Sequence, residues 1–179
     1  MRTHRAALLT LVCLGTVFVS GCGSTEVERQ ETNRVVHRAA LIDELYSFES
    51  PNEVRDRLDA SLLPWKVVED SALAPGDRRP PFHQYVVAVD GYTHIDTSGE
   101  LQLCFFNGRL MATYFFPSDP EAYLRHLRVS RGIDFTGVRE ASLSQYTRVS
   151  TGSIDGRTYV AWEDARLSEE FDDWIRRYS

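Results

Sequence analysis

His94-x-Asp96 is the spacing in this chain with the most chemical reach. Residues i and i+2 of a strand point the same way, so this imidazole and carboxylate could ligate one metal ion. Asp90 or His83 could add a third ligand, and a hydrolytic site would draw on His83, His94 and Asp96. Two ligands do not make a zinc site, and the surrounding residues read as a turn-rich, solvated hairpin edge, so no metal is expected. Cys104 sits in the apolar run Leu101 to Phe106 and reads as a buried, inert thiol. Four acid pairs stand out: Glu69-Asp70, Glu163-Asp164, Glu169-Glu170 and Asp172-Asp173. Adjacent acids point apart on a strand and about 100° apart on a helix, so none is a catalytic pair by spacing. The chain has no Gly-x-Ser-x-Gly elbow, His-Glu-x-x-His, phosphate-binding glycine loop or calcium loop. No catalytic residue, cofactor or metal follows from these patterns.

The amino end carries a different chemistry. Met1 to Arg5 is basic, Ala6 to Val19 is apolar, and Val19-Ser20-Gly21-Cys22 closes the run. The run is shorter than the about 20 residues a spanning helix needs, and its order is that of a secretory signal. Val-Ser-Gly-Cys resembles the lipobox of bacterial lipoproteins. That resemblance implies a diacylglycerol thioether on Cys22, removal of residues 1–21 and acylation of the new amino group. Burial of acyl chains contributes about 0.8 kcal/mol per CH₂, so two or three chains make a lasting anchor where one does not. Gly23, where an Asp would signal retention, implies transfer to the outer membrane of a Gram-negative host, facing the periplasm. The lipid bilayer is thus the first expected partner, through acylated Cys22.

Composition narrows the rest. The chain has 20 basic and 26 acidic residues; without residues 1–21 the balance is 18 to 26, a formal charge of −8. Such a surface is a poor match for nucleic acid or anionic headgroups. Lys66 is the single lysine beside nineteen scattered arginines, which reads as codon bias. With Cys22 lipidated and Cys13 removed, Cys104 has no disulfide partner. The remaining 158 residues suffice for one domain. Residues 22–32 read as a polar tether and 33–179 as a single α+β domain.

Within that domain Val35, Ala39, Ile42 and Tyr46 recur at helical spacing, which predicts a helix over 33–47. Ser50-Pro51-Asn52-Glu53 is a capping box opening a second helix, about 51–62, stopped by Pro64. Trp65 to Glu69 and Tyr85 to Val89 are strands around a loop at 71–81. Asp90-Gly91 and Thr97 to Glu100 have turn composition. Leu101–Phe106 and Arg109–Phe116, joined by Asn107-Gly108, make a hairpin apolar on both faces and therefore central in its sheet. Ser118 or Asp119 caps a helix bearing Tyr123, Leu124 and Leu127. Residues 130–150 read as irregular with a short strand or two. Asp155-Gly156 and Arg157 to Trp162 echo the earlier turn and strand, which hairpin chemistry explains as well as duplication does. Leu167, Phe171, Trp174, Ile175 and Tyr178 form the stripe of a closing amphipathic helix. The fold class is α+β: an antiparallel meander against an N-terminal helix pair and a C-terminal helix, packed mainly on one face.

Residues 50–117 also resemble the SmpA/OmlA (BamE) type of outer-membrane assembly lipoprotein. The likeness rests on the helix cap, Glu53-Val54 with Leu58, a strand with Trp65, and Leu101–Phe106 with Asn107-Gly108 and Arg109-Leu110. The loop at 71–81 and everything after Pro117 depart from that family. It implies a non-enzymatic module that binds an envelope protein or serves a structural role. A periplasmic hydrolase and a small-ligand or inhibitor domain are the alternatives.

Overall fold

The computed structural model describes residues 37–58 and 64–179. The signal at 1–21, Cys22, the tether, residues 33–36 and positions 59–62 of the predicted 51–62 helix lie outside them. Short runs of β-branched and aromatic residues form a seven-stranded, wholly antiparallel sheet. In chain order the strands are β1 (Trp65–Ala72), β2 (His83–His94), β3 (Thr97–Phe106), β4 (Arg109–Pro117), β5 (Glu140–Ser142), β6 (Thr147–Ile154) and β7 (Arg157–Asp164). Across the sheet they run β1-β2-β3-β4-β7-β6-β5, so β3 and β4 lie inside it. Asn107 and Gly108 connect those two at φ of 48° and 73°, the positive values a two-residue hairpin turn needs. The Asn107 carboxamide also accepts from His83 N–H at 2.8 Å.

Alternation along the strands separates two faces. Val87, Val89, Leu103, Phe105, Phe115 and Trp162 belong to one continuous core. Helices α1 (Pro51–Arg57) and α2 (Pro120–Arg131) contribute Val54, Tyr123 and Leu127 to it. Ser50 and Glu53 close the capping box of α1, and Asp119 accepts from Ala122 N–H at the start of α2. Helix α3 (Ala165–Tyr178) packs on the opposite face, its Phe171 ring 5.4 Å from that of Phe106. Helices therefore cover both faces, not mainly one. The two turn-strand-helix units place their helices on opposite sides of the sheet, so they are not copies of one packed unit.

The helix predicted over 33–47 is absent from its described part, so there is no N-terminal helix pair among the described residues. Residues 39–47 close a tight loop instead. Leu41 N–H donates to Leu45 O at 2.9 Å and Ser47 N–H to Ala39 O at 2.9 Å. Asp43 and Phe48 lie in the left-handed region, at φ of 49° and 67°, which no helix accommodates. Ala39, Leu41, Ile42 and Leu45 are all buried. Loop closure inters apolar residues from every side, where a helix would bury one stripe; tertiary burial overrides the weak local propensity.

Turn positions also differ from the reading of composition. Asp90-Gly91 is a bulge within β2, where pairing skips from Asp90↔Glu100 to Tyr92↔Gly99. The chain reverses at Ile95-Asp96, between the paired residues His94 and Thr97, so Thr97 to Glu100 is strand. Gly99 is there for close approach. A β-carbon on it would meet Phe116 O and come within 2.8 Å of the Phe115 ring. Gly99→Ala is expected to lose about 1–3 kcal/mol of stability by overpacking. Urea titration checks this against Ser98→Ala on the exposed neighbour, which stays within about 0.5 kcal/mol of wild type.

Candidate functional site

The three residues marked as a prospective site do not converge. His83 and His94 stand at opposite ends of β2, roughly 35 Å apart at about 3.3 Å per residue. His83 is exposed and pairs with Asp70 at 2.8 Å. Asp96 is in the turn at φ 59° and faces solvent, while His94 is buried. The i, i+2 rule fails because the strand ends between them. Among the described residues no group of three or more His, Cys, Asp or Glu could hold a metal. His126, on α2, is exposed.

His94 belongs to a different constellation. Its Nδ1 lies 2.5 Å from Tyr123 Oη, and its Nε2 lies 3.4 Å from Asp43 Oδ1. Tyr92 donates its hydroxyl to Asp43 Oδ2 at 2.5 Å. Phe115 and Trp162 meet the imidazole edge-on, at 6.0 and 5.4 Å between centroids. Burial depresses the His94 pKa, the Asp43 charge opposes it, and the Arg131 charge depresses it further. The ring is therefore neutral at neutral pH. It accepts the Tyr123 proton donor at Nδ1 and carries its own proton at Nε2, towards Asp43. Burial also raises the Tyr92 and Tyr123 hydroxyls above the ordinary tyrosine range, with the Asp43 charge adding to it, so neither is a nucleophile at neutral pH. A cavity of about 270 Å³ opens beside His94, between the 40–43 turn and the last turn of α2. Asp43, in its lining, lies in the left-handed region at φ of 49°. Left-handed non-glycine residues cost on the order of 1–3 kcal/mol each and cluster where function or over-determined packing holds them. The sequence alone does not join Asp43, Tyr92, Tyr123 and Arg131, because they come from three separate segments, the 40–43 turn, β2 and α2.

The second feature is a groove of about 420 Å³ on the face opposite the main core, walled by α3. Strand alternation brings Gln84, Val86, Gln102, Cys104 and Tyr114 to its floor, and α3 adds Ser168, Phe171 and Asp172. Glu163 accepts from Tyr114 Oη at 3.3 Å and from Arg148 Nη2 at 3.4 Å. Arg148 Nε is buried with no hydrogen-bond partner among the described residues. Burial pushes the Cys104 thiol up to about 12, with Glu163 and Glu69 adding to it; a protonated thiol is a poor nucleophile. The alternation Gln102, Cys104 and Tyr114, Phe116 on otherwise apolar strands was the sequence signal for this face.

The acid pairs divide between environments. Glu163 faces the groove, whereas its neighbour Asp164 is fully buried and caps α3 by accepting from the N–H groups of Arg166 and Leu167. Because α3 starts at Ala165, Glu169, Glu170, Asp172 and Asp173 fall after its first turn. Two of them make ion pairs: Glu170 with Arg109, and Asp173 with Arg176 and Arg177. Asp164 meets the positive helix end instead. Among the described residues no helix is long and apolar enough to cross a membrane. No family model and no curated protein sequence matches this chain.

Proposed function

We propose that this chain is a membrane-anchored lipoprotein of the bacterial envelope, held by acylated Cys22 and facing the periplasm, whose α+β domain binds a protein partner without catalysing a reaction. The groove beside α3 carries this reading. Its polar residues, among them Gln84, Gln102, Arg148 and Glu163, lie beside Val86, Met111 and Phe171. A groove that offers hydrogen-bonding side chains beside apolar ones is suited to a protein segment that meets both. Glu69, Glu163 and Asp172 outnumber Arg148 there, which favours a neutral or basic partner segment. The anchor rests on Val19-Ser20-Gly21-Cys22. A hydrolase drawing on His83, His94 and Asp96 has less support, since these residues stand apart.

Two measurements test the reading in cells. Metabolic fatty-acid labelling is expected to mark the wild-type chain and not Cys22→Ala, which should also leave the membrane fraction. A benzophenone photo-crosslinker replacing Gln102 is expected to yield a discrete protein adduct that the same group at exposed Glu121 does not. Identical adducts from both positions, or none from position 102, would sink the groove as a binding surface. Equal labelling of both chains would sink the anchor.

A further inference from the structure

We infer that the cavity beside His94 is a binding site for a small zwitterion with an apolar side chain, the simplest being an α-amino acid. The site lies on the core side of the sheet, away from the α3 groove, so either reading can fail without the other. Its floor is apolar: Leu127, Ile133 and Trp162 are buried core residues that line it. Its rim carries opposite charges, Asp43 from the 40–43 turn and Arg131 from the last turn of α2. Both act on the His94 ring, yet they do not pair with each other among the described residues. An anion and a cation held apart over an apolar floor are complementary to an ammonium and a carboxylate on one carbon that bears an apolar side chain.

The anionic side is preorganised. Asp43 takes the Tyr92 hydroxyl on one oxygen and faces His94 Nε2 on the other. A carboxylate has about four acceptor sites, so these contacts fix its position and leave room for an ammonium. On the cationic side, Arg131 offers a planar fork that suits a carboxylate. Size restricts the ligand further. About 270 Å³ falls short of the roughly 300 Å³ at which pockets for drug-sized molecules begin, so a single amino acid fits the space better than an extended peptide.

The test uses the full-length protein in detergent micelles, with L-phenylalanine and L-leucine as probes in titration calorimetry and Trp fluorescence. At least one probe should bind saturably, one per chain. N-acetylation and amidation of that probe should each weaken binding at least about tenfold, since each removes one charge-assisted contact. Glycine, lacking the side chain, should bind more weakly still. Asp43→Asn and Arg131→Gln should each weaken the unmodified probe by about tenfold. The inference is overturned if neither amino acid binds saturably at millimolar concentration, or if acetylated or amidated probe binds as well as the free one. Should Asp43→Asn unfold the turn, the modified probes on the wild-type chain still decide.

Discussion

Asp164→Ala is expected to destabilise the domain by about 2–4 kcal/mol, from loss of the α3 N-cap and of charge-assisted hydrogen bonds to a carboxylate. The carboxylate is fully buried and joins three segments. Ser47 Oγ donates to Oδ2 at 2.7 Å, Arg166 Nη2 at 2.6 Å, and Arg166 Nε reaches Oδ1 at 3.0 Å. Ser47 Oγ also accepts from Ala39 N–H at 2.7 Å, and Arg166 Nη2 donates to His37 O at 2.6 Å. Removing the carboxylate therefore uncaps α3, leaves the guanidinium without its partner and releases the 37–47 loop together. Asp164→Asn keeps the shape and part of the hydrogen bonding, so it costs less. Burial pushes the Asp164 carboxyl up, but the hydrogen bonds from Arg166 and Ser47 and the Arg166 charge outweigh it and hold it below the ordinary range. A depressed folded-state pKa gives a stabilisation present in full above the unfolded value of about 3.9 and lost as pH falls through the lower folded value. Urea denaturation across pH 2–7 should show the gap between wild type and Asp164→Asn narrowing at the acid end. A gap that does not change with pH would remove the charge from this account.

Phe115→Ala should cost about 3–5 kcal/mol, the range for deleting a buried aromatic ring. Phe115 is wholly buried in the core. Its ring lies 4.9 Å from Tyr123, 6.0 Å from His94 and 6.1 Å from Tyr92 between centroids. It therefore holds the polar cluster as well as the sheet. The ring also lies against the open face of Gly99, where no side chain can expand to fill the space it leaves. Phe115→Leu should cost less, because a smaller void remains. Denaturant melts give the stability, and His94 ring resonances give the cluster. If Phe115→Ala lowers stability by less than about 1 kcal/mol, the packing described around His94 is wrong.

Much of the architecture was legible because its determinants are local. The Ser50-Glu53 box spans three residues, and both partners are visible in the sequence. The α3 stripe repeats every three to four residues whatever it packs against. Runs of Val, Tyr and Phe broken by turn residues are enough to indicate a mixed α+β fold. The same local logic failed at 37–47, where helical spacing and loop burial select overlapping residues and only contacts with distant chain decide between them. It failed again at His94-x-Asp96, since two positions share a strand face only if the strand continues, and it turns at Ile95. The face each helix covers, the full burial of Asp164 beside a partly exposed Glu163, and the meeting of Asp43, Tyr92, His94 and Tyr123 are products of tertiary structure. Those partners lie 49 and 29 residues apart in sequence, and no period of two or 3.6 reaches so far. Secondary structure follows from short-range sterics and hydrogen bonding; the placement of one polar group against another follows from how the whole chain packs its apolar surface out of water.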